Sequence, residues 1–285
     1  MQVCLIPDEY SHDPATAFEL GRSWGVEHYE IRYAYRWRVP VCPAWAADRV
    51  AAAVRDYGVT VTGISPGLFK PTMRTDGTQQ PLSTDAPEEI RRHLDELLPQ
   101  FLAFAERLST RNVTVFALPR PADAKGHKPP RVVIDSLAEA AEKALAGGFT
   151  LLVENGGGTW ADTAQATAAL LDAVASPALR LTWDPANAAW ADPDSDPVAQ
   201  GYPLLRRHVA NVHVKDLTIT QGKPAWAMLG EGLINWPEQL RRLRADDYAG
   251  PLTLEPHFQY QQGLQTNLVQ RVEQFLTRLR RILGR

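Results

Sequence analysis

The sequence predicts an α/β fold, a (β/α)8 barrel built as a single domain over residues 1–285. Three observations carry that prediction. Apolar, strand-like runs alternate with helix-period segments eight times, the count for a closed barrel rather than an open doubly wound sheet. The length, 285 residues, suits one such barrel (about 250 is typical), and no Pro/Ser linker divides the chain. Glu154, Asp184, His213 and Glu255 each lie in or just after a strand-like run, before a loop and a helix-like segment. Polar groups at the C-terminal ends of successive parallel strands converge only if the strands curl into a ring.

In chain order, Val3–Ile6 precedes Pro14–Trp24, His28–Ile31 precedes Pro43–Tyr57, and Val59–Ile64 precedes Ala86–Leu108. Val113–Ala117 precedes Val132–Ala146, Thr150–Val153 precedes Asp162–Ala175, and Leu179–Trp183 precedes Pro197–His208. Val209–Val214 precedes Trp236–Arg244, and Leu252–Glu255 precedes Leu264–Leu283. Asp85 reads as an N-cap, with Pro87 in the first turn and Glu88 and Glu89 favouring the positive helix end. Asn235 caps a second start, with Glu238 three residues on. Gly58, Gly147-Gly148 and Gly250 fall between helix ends and the next strand, as stops should.

Two strand-to-helix connections are long, Pro66–Asp85 with Lys70 and Arg74, and Leu118–Arg131 with Arg120, Lys125, His127 and Lys128. Both belong to the face that carries the four polar strand ends, and long loops there commonly close over substrate.

The net charge of −3 gives no pull toward nucleic acid or an anionic membrane. No apolar run is long enough to span a bilayer. The N-terminus enters a strand-like segment at Gln2–Ile6, without the basic and apolar regions of a signal peptide. Cys4 and Cys42 make no disulfide framework and are expected to be reduced, in a cytoplasmic protein.

Strand residues two apart share a face. Thr182 and Asp184 therefore fall on one face, as do His213 and Lys215, and Thr253, Glu255 and His257. The alternate residues Val153, Trp183, Val212, Val214 and Leu254 are large and apolar, fit to pack on outer helices. Three carboxylates gathered at one mouth repel one another unless a cation joins them. Carboxylate oxygens with one imidazole suit one divalent ion, Mn2+, Mg2+, Co2+ or Zn2+.

The chain resembles the xylose-isomerase-like superfamily of TIM barrels, of the sugar-phosphate isomerase/epimerase type. The resemblance rests on Val-Glu-Asn at 153–155, Asp-Pro-Ala-Asn at 184–187, His-Val-Lys-Asp at 213–216, Leu-Gly-Glu-Gly at 229–232 and Leu-Glu-Pro-His at 254–257. It implies that Glu154, Asp184, His213 and Glu255 bind one divalent metal, and that Glu154 and Glu255 are the acid/base pair. The implied reaction is proton transfer through a metal-stabilised enediolate of a sugar, sugar phosphate, inosose or hydroxy-keto acid. Return of the proton gives isomerisation or epimerisation, and loss of a β-hydroxyl gives dehydration. Lys215, His257, Asn187, Glu231 and Trp226 are candidate substrate contacts. His12, His28, His93, His127 and His208 show no partner pattern.

Two competing readings share the barrel. A metal-dependent endonuclease of the abasic-site type calls for further histidines, where this chain has Asn187 and Trp226, and the ends of the third and fourth strands lack them too. A non-catalytic sugar-binding barrel has no use for two carboxylates flanking one metal. Within the enzymes, some ketose 3-epimerases present an arginine six residues past the metal-binding histidine, where this chain has Ile219. The expected partner is a small carbohydrate, not a nucleic acid or a membrane, and homo-oligomers are compatible with the sequence.

Overall fold

The computed structural model describes residues 1–73, 79–80, 82–258 and 267–285. Eight parallel strands close into a barrel. They are β1 (Gln2–Leu5), β2 (His28–Ile31), β3 (Thr60–Leu68), β4 (Asn112–Val115), β5 (Thr150–Glu154), β6 (Leu179–Trp183), β7 (Val209–Val214) and β8 (Pro251–Leu254). Each pairs with its neighbour in sequence, and β1 closes the ring on β8 with Cys4 opposite Thr253.

Helices α1 (Pro14–Ser23), α2 (Ala44–Tyr57), α3 (Pro87–Arg92), α4 (Leu98–Arg107), α5 (Arg131–Ala146), α6 (Ala164–Val174), α7 (Pro185–Ala191), α8 (Tyr202–Leu205), α9 (Trp236–Ala245) and α10 (Leu268–Leu283) follow the strands. A π turn, His93–Leu97, joins α3 to α4. On α10, Val272, Phe275, Leu276 and Leu279 are the buried residues, spaced at i, i+3, i+4 and i+7 so that one stripe faces inward. Burying each such side chain contributes about 1.5–3 kcal/mol. Trp183 reaches α9, where its indole N–H donates to Gln239 Oε1 at 3.0 Å.

The barrel interior is polar under its mouth. Glu30 of β2 meets Thr114 of β4 (3.4 Å), and Asn211 and His213 of β7 (2.8 and 3.1 Å). Thr253 of β8 donates to Asn211 Oδ1 at 2.8 Å. Because β2, β4 and β7 are not neighbours in the ring, these side chains meet only across its inside.

Several local expectations need correction. Ala86 rather than Asp85 precedes α3, and no side chain caps that helix. The α9 end is turned by Asp246 and by Asp247 at φ 53°, ahead of Gly250. The helix expected over Pro197–His208 is a π turn, Pro197–Gly201, followed by the short α8, and α7 starts directly after Asp184. Strand β3 runs on to Leu68, which pairs with Val115 after a register shift. Of the two long connections, the first holds a short hairpin, Thr72–Met73 with Gln79–Gln80, and Arg74 lies outside the described residues. In the second, Arg120 ion-pairs with buried Asp162, and Lys125 Nζ donates to Ala191 O at 3.0 Å. Asn235 caps α9 through Glu238 N–H, and Gly58 ends α2 at φ 62°. Both cysteines are free. Among the described residues no helix is long and apolar enough to cross a membrane.

Candidate metal centre and barrel mouth

Each candidate ligand is carried to the mouth by its own strand. Glu154 ends β5, His213 lies near the end of β7, and Asp184 and Glu255 directly follow β6 and β8. Asp184 divides its carboxylate between two tasks. Oδ1 accepts the Asn187 backbone N–H at 2.8 Å and caps α7, with Pro185 in the first turn where no N–H is needed. Oδ2 is left for the mouth. Asn155 steadies the turn by exchanging two 2.8 Å hydrogen bonds with the Asp184 backbone.

All four side chains are buried, and their ligand atoms lie within 4.8 Å of one another. Donors at roughly 2–2.6 Å from a common ion stand no farther apart than about twice that distance. His213 Nε2 sits 3.1 Å from Glu30 Oε2. Its Nδ1 is buried without a hydrogen bond, 3.1 Å from Glu255 Oε2 and 3.6 Å from Glu154 Oε1. A carboxylate taking the far N–H of an imidazole fixes the tautomer whose other nitrogen is free to ligate.

Charge makes the same demand. Asp8, Glu9, Glu30, Glu154, Asp184 and Glu255 are all buried around the inner mouth, with Arg32 and Lys215 as the buried permanent cations among them. Arg32 Nη2 is 2.7 Å from both Asp8 Oδ2 and Glu9 Oε1, and Nη1 pairs with Glu255. Lys215 Nζ is 2.7 Å from Asp184 Oδ2 and 2.7 Å from Glu255 Oε2. Burial pushes the His213 imidazole toward neutrality, but the Glu255, Glu30 and Glu154 carboxylates outweigh it and hold the pKa well above its ordinary value. Positive charge is thus favoured at the point the four ligands surround. The donor set, its span and the unbonded Nδ1 fit a single divalent cation.

The carboxylates differ among themselves. Burial raises Glu154, yet the His213 charge, helped by Lys70, brings it down to about 2. Burial raises Glu255 too, but Lys215, His257 and His213 hold it well below the usual range. For Asp184, burial wins over Lys215 and the pKa is raised. Lys215 is disfavoured by burial but lifted by Asp184, Glu255 and Glu154, so its ammonium stays charged.

Glu9, Glu255 and His257 form a second close acidic group. Its cation is already present, since Arg32 binds both glutamates. Glu9 also fixes His257, taking its backbone N–H at 2.8 Å and standing 3.1 Å from Nδ1, while His257 holds φ 56°.

A cavity of about 270 Å³ opens above the centre, lined by Glu154, Glu255, Asn187, Lys215, Trp226 and His257, among others. Asn187 Nδ2 donates to Glu154 Oε1 at 3.2 Å and to Asn155 O at 2.9 Å. Trp226 lies on a hairpin strand, Lys223–Ala227, with its ring centroid 5.0 Å from that of His257 and 5.2 Å from Lys215 Nζ. Glu231 departs from expectation. It is exposed and pairs with Arg278 at 2.7 Å, away from the cavity. Its motif has a structural basis instead. Asp216 accepts the N–H groups of Leu217, Gly230, Gly232 and Ile234, and a Cβ on Gly232 would lie 2.1 Å from Asp216 Oδ1.

Sequence reasoning missed Glu30 and Arg32, and with them Asp8 and Glu9. Glu30 and Arg32 are two apart at the end of β2, so the alternation that groups the residues of the later strands applies to them as well.

The sequence matches the family model for xylose isomerase-like TIM barrels over residues 18–276. No curated protein matches it by sequence. Among solved structures, L-ribulose 3-epimerase is similar at 18% identity and a TM-score of 0.73, covering 100% of this chain and 95% of that one. The 3-keto-D-glucoside 4-epimerase of E. coli follows at 17% identity and 0.70, covering 99% of each chain. The probable 3-DHS dehydratase of petrobactin synthesis from Bacillus anthracis is similar at 18% and 0.70, covering 98% of this chain and 99% of that one. At such identities the likeness is one of fold. With its eight-stranded ring and the match along most of its length, the chain belongs to the xylose isomerase-like TIM barrel family.

Proposed function

We propose that this chain is a divalent-metal-dependent isomerase or epimerase of a small polyhydroxylated ketone, working as one cytoplasmic domain. The observation that carries the reading is a pair of buried carboxylates, Glu154 and Glu255, delivered by β5 and β8 to one cavity and both facing Nδ1 of His213. Glu154, Asp184, His213 and Glu255 would hold the metal. When bound, it supplies Lewis acidity toward adjacent substrate oxygens and neutralises the carboxylate cluster.

The protein groups supply the proton handling. One of Glu154 and Glu255 takes a proton from the carbon beside the carbonyl, and the other returns one from across the cavity. Return to the same carbon from the opposite face is epimerisation, and return to the neighbour is isomerisation. Asn187 and Arg32 orient the two bases through Glu154 Oε1 and Glu255 Oε1. Lys215, His257 and Trp226 line the cavity, positioned to contact substrate hydroxyls and to exclude water. Departure of a β-hydroxyl after the same proton abstraction is the dehydratase variant, and the fold likeness to a dehydratase favours keeping it in the test. The nuclease reading loses support because Asn187 is spent on Glu154 and Asn155, and Arg32 fills the neighbouring acidic group.

The test is solvent isotope incorporation. Metal-loaded protein is incubated in heavy water with ketoses, ketose phosphates, inososes and hydroxypyruvate, and products are read by mass spectrometry. Deuterium at carbon in at least one compound is expected. A panel that stays unlabelled, with metal bound and the protein folded, would overturn the reading.

A further inference from the structure

Four cations line the mouth cavity, Arg32, Arg38, Lys70 and Lys215. Arg32 and Lys215 are committed to carboxylates. Arg38 and Lys70 are held differently. Arg38 Nη1 donates to the carbonyl of Ser65 at 2.9 Å, and its guanidinium lies 4.7 Å from the Tyr33 ring centroid. Lys70 Nζ sits 3.6 Å from the Phe116 ring centroid. Among the described residues, neither has a carboxylate within 4.0 Å. Their seats are neutral, a carbonyl and aromatic faces, which fix position without cancelling charge.

The backbone is shaped around this arrangement. Gly67 holds φ +87°, and a Cβ there would stand 2.9 Å from Arg38 Cδ and 3.3 Å from Nη1. A bare backbone at Gly67 therefore lets the arginine lie across the end of β3. Lys70, three residues on, is pulled down by burial to about 8, with Glu154 partly restoring it, so an anion beside it would secure its charge.

We propose, resting on the reading of this cavity as a ketone-processing site, that Arg38 and Lys70 form an oxyanion subsite for a carboxylate or phosphate carried by the substrate. The substrate class is then an acidic keto-sugar or keto-polyol rather than a neutral ketose. A guanidinium supplies a planar fork for two oxygens, and an ammonium adds a point charge.

Binding tests this without turnover. Tryptophan fluorescence and calorimetry at low salt, on the full chain with and without added Mn2+, compare D-gluconate, D-glucitol 6-phosphate and neutral D-glucitol. At least one anion is expected to bind tenfold or more tighter than glucitol, and the gluconate and phosphate arms identify which oxyanion fits. Gluconate also chelates metal, so the variants and the metal-free arm carry the decision. Lys70→Met should lose about tenfold in anion affinity while glucitol affinity stays within twofold, and Lys70→Arg should retain most of it. Arg38→Gln should behave as Lys70→Met, with circular dichroism confirming the fold. Equal binding of anion and glucitol by the native protein, or equal losses for both in the variants, overturns the subsite. Labelling of neutral ketoses in heavy water would leave the ketone-processing reading standing in that event. An anion preference that depends on Lys70, with no labelling of any ketone, would keep the subsite and remove the reading.

Discussion

Glu154 and Glu255 share a residue type and a cavity, but not their surroundings. Glu154 is held by Asn187 Nδ2 and faces His213. Glu255 balances Arg32, Lys215 and His213 at once. Substituting either by glutamine removes a proposed base, and turnover should fall by about 10²–10⁴ in each case. Stability should separate them. Glu255→Gln leaves two buried cations short of a partner and should cost on the order of 3 kcal/mol, whereas Glu154→Gln should cost well under half of that by denaturant titration. Equal destabilisation would mean that the Arg32 and Lys215 pairs contribute little. The four candidate ligands could be grouped from sequence because strand alternation is strict and each follows an apolar run. Glu30 and Arg32 obey the same alternation but stand in no recognisable motif, and Asp8 and Glu9, which pair with Arg32, come from a single 3-10 turn, Pro7–Glu9, too short to show a period. Glu231 shows the opposite case, a polar residue inside a motif whose neighbours Gly230 and Gly232 serve the Asp216 carboxylate while its own side chain faces solvent.

Elements were legible where their ends are chemically marked. Gly58 and Asn235 end and begin helices by mechanisms that read directly from residue type. The connection after β6 was not, because Asp184 serves both as cap and as mouth residue, and Pro185–Ala191 is too short to show a helical period. The Asp216 loop offers a sharp test of element-level packing. Gly232→Ala would drive a methyl into Asp216 Oδ1, and should destabilise by about 2–4 kcal/mol or displace the loop. A variant as stable as the parent would show that the loop relaxes freely. The π turn carries a pH dependence of its own. His93 is fully buried, its Nδ1 accepts the Phe69 N–H at 3.0 Å, and burial, aided by Arg92, lowers its pKa to about 4. Above about pH 6.5, imidazole is neutral in both folded and unfolded chains and its contribution is complete. Between 6.5 and 4 the unfolded chain binds a proton that the folded chain refuses, so stability falls with pH, by up to about 3 kcal/mol in total. His93→Gln should flatten that part of the stability–pH curve, measured by urea titration at several pH values. An unchanged slope would assign the acid sensitivity to other groups.

At the scale of the whole molecule, the ring of strands gathers more buried negative charge than its own cations balance. Asp8, Glu9, Glu30, Glu154, Asp184 and Glu255 converge from distant parts of the sequence because β1 stands between β8 and β2 in the closed ring. The barrel itself was legible from the count of alternating segments, but this charge was not, since it depends on which side chains face inward and how near they come. A divalent cation held by Glu154, Asp184, His213 and Glu255, as proposed, would relieve that excess only in the folded state, and so would stabilise the fold by mass action. At a free metal concentration near a hundred times its dissociation constant, the gain is about 2.7 kcal/mol. For a chain of this size that is a rise of roughly 5–10 °C in melting temperature. Adding Mn2+ to chelator-treated protein should produce such a rise in a calorimetric scan, and EDTA should reverse it. His213→Ala removes the imidazole ligand and should abolish the rise, with the metal content of the desalted protein falling in parallel. A melting temperature indifferent to Mn2+, Mg2+, Co2+ and Zn2+, with no metal retained through desalting, would mean that Lys215 and Arg32 already satisfy the cluster and that the mouth works without a metal.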